Sequence, residues 1–166
     1  MPSLRELAIP GVWLASTPRN TDARGWLVET FRDDWMPANG PVGHRPAMSY
    51  VSYTKPGVAR GPHEHSGQTD LLVFPGPSDF RVYLWDNRGG SPAFGRRVTM
   101  VLGETDPALL VVPPGVVHGY RNIGDRDGLV LNYPDRLFRG PGQGSAVDEV
   151  RHESDPESRF DMEAGE

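Results

Sequence analysis

Two separated segments of this chain carry side chains that could do chemistry together. The first is Arg60-Gly61-Pro62-His63-Glu64-His65, with Asp70 five residues on. The second is Pro113-Pro114-Gly115-Val116-Val117-His118, with Asn122 four residues on. Along an extended strand, residues i and i+2 share a face, so His63 and His65 project together if that segment is extended. The Pro-Pro-Gly turn delivers His118 from another strand. Three neutral imidazoles and one carboxylate, His63, His65, Asp70 and His118, suit a divalent transition metal such as Mn, Fe, Ni, Zn or Co. A histidine with a near-neutral pKa is equally suited to act as a general base. The same residues therefore support two chemistries, and His63 cannot give its lone pair to both. A third arrangement pairs Asp70 with an arginine such as Arg81 and leaves no chemistry.

The elements that must position these residues are short. Apolar runs are cut repeatedly by Gly, Pro, Asp and Asn, and no repeat or heptad is present. Strands are expected at Gly25–Phe31, Ala47–Tyr53, Leu71–Phe74, Phe80–Trp85, Arg97–Leu102, Ala108–Val112 and Leu129–Tyr133. Turn chemistry lies between them at Asn87-Arg88-Gly89-Gly90, Pro113-Pro114-Gly115 and Gly124 to Gly128. Asp86 and Arg88 are expected to fix one hairpin by local hydrogen bonds. The spacing predicts an all-β sandwich or barrel, with one short helix around Asp33–Met36. Along Phe80–Trp85, Arg81, Tyr83 and Trp85 alternate with Phe80, Val82 and Leu84. One set faces the core and the other is a candidate cavity lining. From Gly140 onward the chain is polar and turn-rich, and reads as an arm packed on the barrel or on a second subunit. Its last several residues are expected to be disordered. His152 lies in a charged run and reads as solvated or at a subunit contact, and His44 reads as loop.

Composition bounds the rest. The chain has 166 residues, consistent with one domain able to bury about two-thirds of its unfolded surface. The reading is one domain over 1–166, with a core of about 21–138 and an arm of about 139–166. The 20 glycines and 17 prolines fit many turns, and the absence of cysteine excludes disulfides and thiolate chemistry. A net charge of −5 argues against nucleic acid as the partner, while a few local arginines remain enough for a phosphorylated small molecule. No apolar stretch approaches the roughly 18 residues of a membrane span, and no charged-then-apolar leader opens the chain. A cytoplasmic protein without membrane association is the expectation.

Over roughly Thr21 to Pro156 the chain resembles the dTDP-4-dehydrorhamnose 3,5-epimerase family, a branch of the cupins. Asp22-Ala23-Arg24-Gly25-Trp26 with Glu29 and Phe31 is similar to its opening strand. Lys55 to His63 is similar to its Arg-Gly-x-His segment. Trp85-Asp86-Asn87-Arg88 with Ser91-Pro92-Ala93-Phe94-Gly95 is similar to its Asp-x-Arg…Ser-Pro-x-Phe-Gly hairpin. Pro113 to Tyr120 is similar to its Pro-x-Gly-x-x-His-Gly-aromatic turn. The resemblance implies an all-β double-stranded β-helix, the jelly-roll cupin barrel, with few short helices, a polar C-terminal arm and a homodimeric state. It implies epimerisation of a nucleotide-linked 4-keto-6-deoxy sugar by proton abstraction beside the keto group, with no cofactor. It assigns the base to His63, an orienting carboxylate to Asp155 and the acid to Tyr133. Arg24 and Arg60 fall to the diphosphate; His118 joins them as a substrate-binding candidate, and strand alternation adds Arg81 and Tyr83 as cavity-lining candidates.

The chain departs from that pattern at two places. Gln68-Thr69-Asp70-Leu71 stands where the family carries a lysine, and a carboxylate repels a developing oxyanion. His65 stands where the family carries a glutamine. Both departures introduce metal ligands, so a cation on His63, His65, Asp70 and His118 could replace the lysine's charge. The alternatives are therefore a metal-dependent cupin acting on another small oxygenated substrate, and a sugar-binding cupin without catalysis.

Overall fold

The computed structural model of the chain describes residues 4–35 and 44–163. Among the described residues thirteen strands run in chain order: β1 (Arg5–Glu6), β2 (Trp13–Ser16), β3 (Asn20–Asp22), β4 (Gly25–Leu27), β5 (Tyr50–Thr54), β6 (Ala59–Glu64), β7 (Asp70–Phe74), β8 (Asp79–Asp86), β9 (Arg97–Gly103), β10 (Ala108–Val112), β11 (Val116–Asn122), β12 (Gly128–Asn132) and β13 (Val150–Arg151). Six form a sheet in the order β1-β2-β10-β7-β12-β5, and five form a second sheet, β13-β6-β11-β8-β9. The two sheets pack face to face as a jelly-roll sandwich, and β3 and β4 form a separate two-stranded hairpin. The expected helix is a single 3-10 turn at Asp33–Trp35, and Met36 lies outside the described residues, as do 164–166.

Three apolar layers follow from strand alternation. Leu72 and Phe74 from β7 meet Phe80, Val82 and Leu84 from β8 between the sheets, with Leu110, Val112 and Tyr120. The intervening Leu71 and Val73 turn outward and are covered by Trp13, Trp35, Phe31 and Tyr133. Every residue of β7 and β10 is therefore buried, which is why both read as unbroken apolar runs apart from Asp70. Tyr83 and Trp85 pack on the outer face of the second sheet beneath Phe160 and Met162 of the C-terminal arm. Each such large side chain removed from water contributes on the order of 1.5–3 kcal/mol.

Two expectations about extent need correction. The first sheet begins before residue 21, because β2 pairs with β10 over Ala108–Val111. The arm also belongs to the second sheet, since β13 pairs with β6 at Glu64 and His63. Its polar composition hides Phe160 and Met162, which its spacing gave no period to reveal.

Asp86 anchors the β8–β9 hairpin as expected. Its carboxylate is fully buried and takes a forked pair of 2.8 Å bonds from Arg88 Nε and Nη2, plus bonds from the Arg88 N–H and the Ser91 hydroxyl. Arg88 also donates to the carbonyl of Pro10, tying the hairpin to the N-terminal segment. The Arg88 guanidinium holds the carboxyl down at about 2, against an ordinary 3.8. A carboxyl whose folded pKa is depressed stabilises the fold above its unfolded pKa and loses that contribution as pH falls toward the folded value. Asp86→Asn should thus lower stability by about 2 kcal/mol at pH 7. The deficit should shrink between about pH 4 and pH 2, where the parent loses the same contribution. Urea unfolding of both proteins across that range measures it.

Candidate functional site

Strand register places the chemistry at one end of the space between the sheets. Asp70 opens β7 on the same face as Leu72 and Phe74, so its carboxylate points inward. His118 of β11 stands opposite Leu84 of β8 and shares its inward face. Across the other edge of β11, His118 pairs with His63 and Tyr120 pairs with Arg60. Between those pairs, two residues of β6, Gly61 and Pro62, stand against one of β11, Gly119, a β-bulge. Without it, Arg60 and His63, three apart, would lie on opposite faces; with it, both line the same cavity. Gly61 sits in the bulge at φ +82°.

The four sequence-predicted donors come together. One nitrogen or oxygen from each of His63, His65, Asp70 and His118 lies within 4.8 Å of the others. His65 Nε2 and His118 Nε2 are each 3.2 Å from Asp70 Oδ2. The other oxygen, Oδ1, accepts a 2.8 Å bond from the Gln68 amide, which also lies 3.2 Å from His65 Nε2. His118 Nδ1 donates to the carbonyl of Val116 and His65 Nδ1 to the carbonyl of Asp148. A carbonyl can only accept, so both rings carry a proton on Nδ1 and turn Nε2 toward the carboxylate. Asp70 pairs with histidines and Gln68, so the Asp70–Arg81 arrangement is not formed.

Electrostatics separates the three rings. The hydrogen bond and charge of Asp70 outweigh burial and raise His65 to about 9. The imidazoles hold Asp70 well below the ordinary carboxylate range despite its burial. Burial, with His118 and His65 beside it, pushes His63 down to about 2, so its ring is neutral at rest and an acquired proton needs a carboxylate beside it.

The cluster forms one wall of an open cavity of about 1050 Å³ between β5, β6, the 134–141 loop and the start of the arm. His63, Arg60, Tyr50, Ser52, Tyr120 and Glu149 all line it. Arg60 is braced by Thr54 Oγ1 and the carbonyl of Tyr53. Tyr120 shares a 2.8 Å hydrogen bond with Ser52, and the oxygen of Tyr50 accepts a 2.8 Å bond from Asn132.

Five other expected residues lie elsewhere. Tyr133 follows β12 on the outward side, its ring against Phe31 and its hydroxyl bonded to Thr30. Arg81 and Tyr83 face away from the cavity because β8 alternation gives the inward face to Phe80, Val82 and Leu84. Arg24 projects into solvent on the β3–β4 hairpin, paired with Asp22. Asp155 is exposed and caps the Glu157 N–H.

The carboxylate that does face His63 is Glu149, 3.9 Å from Nε2 and itself bonded to Arg151. Glu149 and Tyr50 were not identifiable as lining residues. Glu149 sits in a charged run that reads as solvated, and Tyr50 in a strand whose buried face the sequence leaves open. His152 in the same run is partly buried, bonded to Glu64 and packed on Phe160. His44 is in a loop, but buried and bonded to the carbonyl of Tyr133.

Comparison with known proteins places this geometry. The profile of the dTDP-4-dehydrorhamnose 3,5-epimerase family matches residues 6–136. A probable low-salt glycan biosynthesis epimerase of Haloferax volcanii is 41% identical over 120 residues, 72% of this chain and 74% of that protein. A spore coat polysaccharide biosynthesis protein of Bacillus subtilis is 34% identical over 135 residues, covering 81% of this chain and 85% of that one. The crystal structure of a dTDP sugar isomerase from Desulfovibrio desulfuricans superposes with a TM-score of 0.79 at 25% identity, over 98% of this chain and 97% of that one.

The bulge supplies a test of how the site is positioned. A Cβ at Gly61 would stand 2.7 Å from the His118 carbonyl oxygen and 3.1 Å from His63 Nδ1. Gly61→Ala should cost about 1–3 kcal/mol from the left-handed backbone alone, with the clash added. The expected result is a lowered thermal midpoint together with loss of ligand binding in the cavity.

Proposed function

The chain belongs to the dTDP-4-dehydrorhamnose 3,5-epimerase family of isomerases, and from that membership we propose that its cavity binds a nucleotide-linked 4-keto-6-deoxy sugar with His63 as the base. The observation that carries the reading is His63 itself: a neutral imidazole on the cavity wall, with the Glu149 carboxylate 3.9 Å from Nε2. The C–H bonds at C3 and C5 of such a sugar are acidified by the C4 carbonyl. His63 takes one of these protons and leaves an enolate, and Glu149 steadies the imidazolium that forms. A phenol then returns a proton from the opposite face. Tyr50 fits this role, because Asn132 occupies its oxygen as a donor and leaves the O–H proton to the cavity. A tyrosine hydroxyl ordinarily titrates at about 10, so the phenol stays protonated at neutral pH. Proton removal and return are redox-neutral, and the reaction by itself calls for no redox cofactor.

Substrate contacts follow from charge. Arg60, with Arg136 and Arg139 on the cavity rim, suits a diphosphate through guanidinium forks. A homodimer belongs to the same reading. Val51 and Tyr53 on the edge strand β5, and Trp26 and Leu27 on the hairpin that carries Arg24, are exposed apolar groups available to a second copy. Among the described residues no helix is long and apolar enough to cross a membrane.

The test is deuterium uptake from solvent at C3 and C5 of dTDP-4-keto-6-deoxyglucose, followed by NMR. The parent should exchange, and His63→Ala should slow exchange by about 10²–10⁴-fold. Tyr50→Phe should keep exchange while losing inverted product, and Arg60→Ala should raise KM more than it lowers kcat. Saturable binding without any exchange in the parent would instead make this a sugar-binding barrel.

A further inference from the structure

Outside the proton-transfer pair, the cluster behind His63 leaves one of its buried ring nitrogens without a hydrogen bond. Two imidazole nitrogens converge on one carboxylate oxygen at 3.2 Å each. Both rings have their Nδ1 protons committed to backbone carbonyls. His118 Nε2 is buried and makes no hydrogen bond, although it is aimed at Asp70 Oδ2. Asp70 is 1% exposed and His118 2% exposed, so no bulk water relieves either group. Once the proton that Asp70 favours on His65 is displaced, these atoms present two lone pairs and an anionic oxygen to one point, an arrangement suited to a metal ion that competes with protons for its ligands.

We propose that His65 Nε2, Asp70 Oδ2 and His118 Nε2 form a binding site for one divalent transition-metal ion, with His63 left on the substrate side. The spacing fits. Ligands about 2.0 Å from a tetrahedral ion stand about 3.3 Å apart, and the two nitrogen–oxygen separations are 3.2 Å. The donor set, two histidines and one carboxylate, suits Zn, Fe, Co or Ni over Mg or Ca. The surroundings fit as well. Backbone carbonyls fix both ring tautomers, and Gln68 holds the non-ligating oxygen of Asp70, as the outer partners of a metal site do. His63 lies within the same 4.8 Å group, but its Nε2 is 3.9 Å from Glu149, and its ring opens on the cavity. Three protein ligands leave one position of a tetrahedral ion for a further ligand.

When bound, such an ion supplies the Lewis-acid charge that an enolate oxygen requires, at the place where Asp70 rather than a lysine stands. That role rests on the epimerase reading; the site itself rests on the geometry.

The experiment is metal uptake by the full-length chain, stripped with chelator and titrated with Co²⁺, then with Zn²⁺ in competition. The expected result is one equivalent of Co²⁺ with intense ligand-field absorption, displaced by Zn²⁺. Asp70→Asn and His118→Gln should weaken uptake by at least about 100-fold, more than the 10–100-fold typical of outer partners. Asp148→Ala leaves the carbonyl that holds His65 in place and should retain the spectrum. His63→Ala should keep the cobalt spectrum and lose deuterium exchange, which separates the two proposals. A stripped parent that takes up no Co²⁺ overturns the site, while its exchange assay still judges the base. A His63→Ala protein that loses the cobalt spectrum overturns the three-residue assignment.

Discussion

The carboxylate of Asp70 is the constraint around which the polar end of this barrel is organised. Strand alternation commits it to the space between the sheets, one position before a run of apolar residues that all must be buried. An isolated carboxylate there is too costly to keep ionised. The answer in this chain is a ring of partners from three further segments: His65 after β6, Gln68 in the following turn, and His118 in β11. Those partners in turn need their own anchors, and two of them are backbone carbonyls, at Val116 and Asp148. One buried charge thus ties both sheets and the C-terminal arm to a single point.

The same point divides the chemistry into two zones. Behind His63 the groups are nearly sealed from solvent and bound to one another. In front of it the cavity presents arginines, two phenols and Glu149 to a ligand. His63 belongs to both zones, which explains why the sequence alone leaves its role divided between base and ligand. The carboxylate at Glu149 gives it a partner on the cavity side that is independent of Asp70.

Much of this was legible from residue types and spacing. Period-two alternation and turn residues located β7 to β10 and β12 to within a residue or two, because their apolar faces are long and their breaks are sharp. The grouping of His63, His65, Asp70 and His118 was also legible, since i,i+2 spacing and a turn-delivered histidine are local signals. What escaped depended on non-local register. Simple alternation puts Arg60 and His63 on opposite faces, and only the bulge against Gly119 reconciles them. Alternation along β8 likewise allowed either face to be the cavity face, and packing of the arm decided it against Arg81 and Tyr83. Resemblance assigned Tyr133 and Asp155 by motif position, yet chain paths after β12 and β13 carry both away from His63. Short motifs fix identity better than they fix direction.

The involvement of the arm bears on the order in which this molecule becomes competent. Residues 148 and 149 supply the carbonyl that holds His65, the caps on the Ser66 and Gly67 N–H groups, and the carboxylate that faces His63. All of them follow the last strand of the first sheet, so during synthesis every strand of the two sheets except β13 can pair before any of these groups has left the ribosome. The barrel would then exist first as a shell with loosely held imidazoles. Docking of β13 along β6 is the step that converts this shell into a preorganised site, and a nascent chain stalled before it would be folded in outline and chemically unfinished.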